Sequence, residues 1–249
     1  MVNRKTLDIA MAVLFITGVI CAVVFGLIPS ARGDGNDLKN SAGVKTVDGS
    51  AVAPDKINIV LDPGHGGIDP GKIGVSGSNE REVNLAISII TGEMLTERGY
   101  NVFFTRADDG GLYEESDVNK KAADMRKRCS IIEEVNADVV VSIHQNSFTD
   151  SDVDGAQVFY YTHSAEGKKL AGIMQQSFKE YVDSANTREC KANDTYYMLI
   201  HTPCPTVIAE CGFLSNPKEE ELLNDKTYQS KIALAITEAV ERYFGNKQL

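Results

Sequence analysis

The chain has 249 residues, 43% hydrophobic and 24% charged, which suits one ordinary globular domain with a single core plus an appendage. A net charge of −10 excludes nucleic acid as a partner, because phosphate binding requires a basic surface. The same sign means that an anionic polymer must be held by local contacts and not by the overall field.

Ile9 to Ile28 is an uncharged apolar run preceded by Arg4 and Lys5. At 1.5 Å rise per residue, about twenty residues cross the ~30 Å hydrocarbon core. The basic flank predicts a cytoplasmic N-terminus and a translocated remainder. The run is long for a signal peptide and no A-x-A site follows, so an uncleaved anchor is favoured over a cleaved signal. Ile20 before Cys21 argues against a lipoprotein. Residues 1–29 are therefore the membrane anchor or signal, residues 30–55 a flexible linker of small and polar residues, and residues 56–246 one folded domain. Four further cysteines (Cys129, Cys190, Cys204 and Cys211) form no C-x-x-C pair and read as buried free thiols.

The folded region alternates strand and helix. Ile57–Leu61 reads as a short apolar strand that ends at Asp62-Pro-Gly64. A helix over 82–98 carries Val83, Ile87, Ile90, Met94 and Leu95 on one stripe and stops at Gly99. Strand 101–105 and helix 117–135 follow. Asp138–Ile143 is apolar enough to be buried on both faces. Strand 157–161, helix 165–182, strand 205–209 and helix 228–244 complete the order. Such alternation predicts a three-layer α/β/α domain with a mostly parallel, mixed sheet of about six strands.

In open α/β sheets, sites form at the carboxyl ends of the strands. His65 follows the first strand, His144 ends the third and Glu210 ends the fifth. If those strands are parallel, the three side chains meet at one edge. Glu80, at the entry to the first helix, is the natural third metal ligand beside the two imidazoles. Two histidines and one carboxylate leave zinc an open position for water, and a second carboxylate, Glu210, suits a general base. Each residue also has a plainer reading. His65 fits a Pro-Gly/Gly-Gly turn, His144 a hydrogen-bonded core histidine, and Glu80 a surface carboxylate favoured by the helix dipole. Glu210 is harder to explain that way, since a buried carboxylate needs a partner. His163 reads as exposed. His201 reads as a solvated loop histidine, with stabilisation of an oxyanion or leaving group as the alternative.

Asp62-Pro-Gly-His-Gly-Gly67, Asn79-Glu-Arg81 with Asn84-Leu85, Ser142-Ile-His-Gln-Asn146 and Glu210-Cys-Gly-Phe-Leu-Ser-Asn216 resemble the signatures of the zinc N-acetylmuramoyl-L-alanine amidases of the third amidase type. The similarity runs in order from about Ile57 to Phe244. It implies one zinc ion per chain on His65, Glu80 and His144, with Glu210 as the catalytic glutamate. It also implies peptidoglycan as substrate, hydrolysed at the amide between muramic acid and L-alanine. Gln145 stands where the family usually has a small residue, and Cys211 where Thr or Ser is commoner. Ser147 to Asp154 is too short for the inhibitory helix that some members insert there. One catalytic domain behind one membrane segment, without a wall-binding module, resembles the spore-cortex members, which prepare cortex for muramic δ-lactam formation. That implies action outside the cytoplasm, in the forespore intermembrane space, and a separate recruiting or activating protein. A zinc peptidase acting on stem peptides and a non-catalytic wall-binding module are the rival readings.

Overall fold

The computed structural model describes Gly49 and residues 52–245. The apolar run at 9–28, Cys21 and most of the linker lie outside the described residues. Among the described residues, no helix is long and apolar enough to cross a membrane.

Six strands form one sheet: β1 (Asn58–Pro63), β2 (Asn101–Phe104), β3 (Val139–Asn146), β4 (Gln157–Tyr161), β5 (Lys191–Asn193) and β6 (Thr206–Phe213). Among the described residues, six helices accompany it: α1 (Glu80–Glu97), α2 (Lys120–Glu134), α3 (Ala165–Tyr181), α4 (Tyr197–His201), α5 (Pro217–Leu223) and α6 (Lys226–Gly245). The strand order is β2-β1-β3-β6-β4-β5. The neighbours β2, β1, β3 and β6 are parallel, whereas β4 runs antiparallel to β6. The sheet is thus mixed and mostly parallel, as expected from the sequence.

Strand alternation sorts side chains onto two faces. Ile59, Leu61, Val139 and Val141 pack with Ile87 of α1, Leu170 and Phe178 of α3, and Ile236 and Val240 of α6. Val60, Phe103 and Val140 point the other way, into a smaller cluster with Ile132, Val135 and Met198. That division makes the domain three-layered. It also explains why the first five residues of β3, Val139 to Ile143, are mostly apolar: all five are buried. Each fully buried Ile, Leu or Val contributes about 1.5–3 kcal/mol relative to exposure.

The element boundaries differ from the sequence expectation in places that matter for the site. Helix α1 starts at Glu80, two residues early, after an extended Asn79. Helix α2 starts at Lys120, where the Asn119 side chain accepts from the Ala122 N–H. The short elements β5, α4 and α5 escape the sequence reading, since three to seven residues carry too little periodicity to register. The four described cysteines are free thiols, but only Cys211 is buried and the other three are half-buried.

Candidate active site

Parallel pairing decides the geometry. Pro63 lies opposite Ile143, and His144 lies opposite Glu210. The carboxyl ends of β1, β3 and β6 therefore open on one edge of the sheet, bringing His65, His144 and Glu210 together. Between His144 and Asn146 the β3–β6 register shifts, an irregularity of the kind common beside functional sites.

Glu80 enters this edge from the first turn of α1 and is 1% exposed. His65 Nε2 lies 3.1 Å from its Oε2, and His144 Nδ1 lies 3.0 Å from its Oε1. The ligand atoms of His65, Glu80 and His144 all fall within 4.8 Å of one another. Backbone N–H groups hold the carboxylate in place: Lys72 donates to Oε2 at 2.7 Å and Gln145 to Oε1 at 3.0 Å. Asn84 Nδ2 adds a bond to Oε1 at 3.3 Å. Burial pushes the Glu80 carboxyl up, but the His144 and His65 imidazoles outweigh it and hold the group well below the usual carboxylate range. Two glycines allow this crowding. A Cβ on Gly64 would overlap the His144 ring, and one on Gly71 would lie 2.5 Å from Glu80 Oε2.

His65 itself has φ +63°, a left-handed conformation unusual for a residue with a Cβ. Two arginines that no sequence motif marks hold it there. Arg106 Nε donates to the His65 carbonyl at 2.7 Å and to that of Pro63 at 2.9 Å. Arg128, 1% exposed, donates to the Pro63 and His65 carbonyls and to Asp62 Oδ1 at 2.7 Å. Asp62 also accepts from Thr105 Oγ1 at 2.6 Å and from Ser142 Oγ at 2.5 Å. Burial raises the Asp62 carboxyl, yet Arg128 and these hydroxyls bring it down to about 2. On the outer side of the His65 ring, Nδ1 lies 3.1 Å from Asp69 Oδ2, a carboxylate placed to orient the imidazole.

Glu210 presents a different environment. Its Oε2 is shielded from solvent and takes no hydrogen bond among the described residues. Burial raises its carboxyl to about 7 against the pull of His144. A carboxylate oxygen left without a partner beside a cluster of metal-type donors is poised for a group that arrives with the reaction. Two imidazoles and one carboxylate form the donor set of a catalytic zinc site that keeps one position open. The residues present therefore fit zinc.

A cleft of about 500 Å³ opens over this edge. Tyr196 and Tyr197, at the start of α4, line it together with Lys72, Lys120 and Lys121. His201 is the exposed last residue of α4, its ring stacked on Tyr197 at 3.9 Å, and His163 is exposed as expected. Gln145 is buried and its amide donates to Asn84 Oδ1, so it braces a partner of Glu80 at the cleft floor. Cys211 is fully buried behind the Glu210 strand end. The segment 147–154 contains no helix, so nothing in it forms a plug.

The comparisons agree with this architecture. The N-acetylmuramoyl-L-alanine amidase family model matches residues 59–242. The germination-specific N-acetylmuramoyl-L-alanine amidase of Bacillus subtilis is 36% identical over 192 residues, covering 76% of this chain and 80% of that protein. The CwlD amidase from Clostridioides difficile, solved in complex with the GerS lipoprotein, superposes with a TM-score of 0.75 at 41% identity, covering 77% of this chain and 100% of that one. The catalytic domain of the amidase CwlV from Bacillus (Paenibacillus) polymyxa gives 0.65 at 29% identity, over 76% and 98% of the two chains. With most of the folded region matched and the sheet edge arranged as described, the protein belongs to the N-acetylmuramoyl-L-alanine amidase family and is a hydrolase of the amide between N-acetylmuramic acid and L-alanine.

Proposed function

We propose that the protein is a zinc-dependent amidase that strips stem peptides from spore-cortex peptidoglycan ahead of muramic δ-lactam formation. The observation that carries the zinc reading is the convergence of His65, Glu80 and His144 beside the unpartnered Oε2 of Glu210. A zinc ion on those three side chains would polarise the scissile carbonyl and bring the pKa of the attacking water near neutrality. Glu210 would serve as the base that takes a proton from the attacking water and as the acid that passes it to the departing amine of L-alanine. The Arg106–Arg128 clamp fixes His65, and the Lys72 and Gln145 amides fix Glu80, so the donors are positioned before substrate arrives.

The cortex role rests on the similarity to the germination-specific and CwlD amidases. The latter was solved with a lipoprotein, which supports a protein partner for this chain as well. The apolar run at 9–28 supports attachment to the membrane on its outer side.

The test uses the full chain in detergent, as wild type and as Glu210→Gln, with zinc content and peptide release from purified peptidoglycan as readouts. Zinc in both proteins, with release of peptides bearing a new amino terminus on L-alanine only by the wild type, is the expected result. Cleavage within the stem peptide would replace the amidase reading with a peptidase, and full activity of Glu210→Gln would remove the role given to that residue.

A further inference from the structure

We propose that Lys72 recognises the free α-carboxylate of the second stem-peptide residue, and so makes the enzyme prefer acidic over amidated stems. The inference rests on the amidase reading of the site. In peptidoglycan the L-alanine released by the reaction is followed by a glutamate that continues the chain through its γ-carboxyl. Its α-carboxyl remains, either as a carboxylate or as a primary amide. This group lies on the second residue past the scissile bond, so all of L-alanine, roughly 3.3–3.6 Å of chain, stands between the two.

The cleft is a poor place for an anion unless a cation is set aside for it. The chain carries a net charge of −10, and Asp69, Glu80 and Glu210 all line the cleft. Of the lining cations, Arg128 is buried and engaged by Asp62 and Asp124. Lys121 pairs with Asp69 at 3.0 Å. Lys120 pairs with Glu115 at 2.7 Å and lies over the Tyr113 ring. Lys72 is exposed, lines the same cleft, and takes part in no ion pair among the described residues. Its charge is felt at Glu210, where it opposes the upward push of burial.

The position of Lys72 is also fixed relative to the chemistry. Its N–H donates to Glu80 Oε2 at 2.7 Å. The loop that follows is fastened by Glu220 of α5, which accepts from Ser76 N–H at 2.8 Å and from Ser78 Oγ at 2.6 Å. The backbone of residue 72 is therefore tied to a candidate metal ligand, while its side chain, an ammonium on a flexible four-carbon stem, belongs to an exposed residue of the cleft lining.

The experiment compares two matched peptidoglycan preparations, one with the stem glutamate α-carboxylate free and one with it amidated. The full chain is assayed as wild type, Lys72→Met and Lys72→Arg. The wild type is expected to cleave the acidic preparation with kcat/KM about fivefold higher, the scale of one exposed ion pair. The difference should lie in KM and shrink as ionic strength rises. Lys72→Met should cleave both preparations with the same kcat/KM, and Lys72→Arg should restore the preference. Equal cleavage by the wild type, or a preference that persists in Lys72→Met, would overturn the proposal. Failure of the wild type to release peptides from either preparation would instead overturn the amidase reading, and this inference with it.

Discussion

His144 and Glu210 face each other as directly paired residues of the parallel strands β3 and β6, one a candidate metal ligand and the other a candidate base. The sheet itself sets their separation, so neither depends on a mobile loop for its place. Glu210→Gln keeps the shape of the side chain and removes its ability to take a proton. The variant should lose about 10²–10⁴-fold in kcat, the usual contribution of a positioned general base. It should keep wild-type zinc content. Peptide release and metal analysis on the same samples check both parts, and loss of zinc in this variant would mean that Glu210 is a ligand instead.

Zinc should stabilise the fold through the same residues. A ligand present at a hundred times its dissociation constant adds about 2.7 kcal/mol to the native state. Metal-free wild type should therefore melt at a higher temperature once zinc is added, and a chelator should reverse the gain together with the activity. Glu80→Gln is nearly isosteric and removes the charge that the two imidazoles face. Thermal melts of this variant should be insensitive to zinc, and an undiminished zinc response would take Glu80 out of the ligand set.

Much of this site is legible in the sequence, for physical reasons that also explain what is not. Strand β3 shows itself because both its faces are buried, and a histidine after such a run stands out. Glu210 stands out for the same reason, following the buried Val207–Ala209 run inside β6. Glu80 is recognisable as a carboxylate at a helix start, but nothing local shows that it turns inward. That follows from Gln145 and His144, more than sixty residues away. Arg106 and Arg128 are less legible still, because they bind backbone carbonyls of residues 63–65 and such acceptors leave no mark in the side-chain pattern. The short helices α4 and α5, which bring Tyr197 to the cleft and Glu220 to the loop at Ser76 and Ser78, fall below the length at which periodicity can be seen.

Glu220 offers a way to disturb the site without touching it. Its buried carboxylate ties Ser76 and Ser78 to α5 and so holds the loop between Lys72 and Glu80. Glu220→Ala should loosen that loop, and the amides of residues 74–78 should exchange with deuterium faster than in the wild type. Zinc affinity should fall about tenfold, as is common when groups supporting metal ligands are removed. Unchanged exchange and unchanged affinity would show that the loop holds itself without the latch.

The Asp62–Arg128 pair should give stability an acid-sensitive component. The folded Asp62 carboxyl titrates at about 2, below its ordinary 3.8, so the folded state favours the charged form. The stabilisation is then fully present above about pH 4 and is lost as the pH falls toward 2. The shift corresponds to about 2 kcal/mol. Urea unfolding of the metal-free protein at several pH values should show this decline, and Asp62→Asn should lack that part of it. Arg128→Met should be worse at neutral pH, costing about 3–5 kcal/mol, because it leaves the Asp62 charge buried without its cation. It also frees the carbonyl of His65 from one of its two arginines, so residual folded protein should bind zinc more weakly. An Arg128→Met protein as stable as the wild type at pH 7, with the same zinc affinity, would mean that Arg106 and the hydroxyls of Thr105 and Ser142 suffice to hold this end of β1.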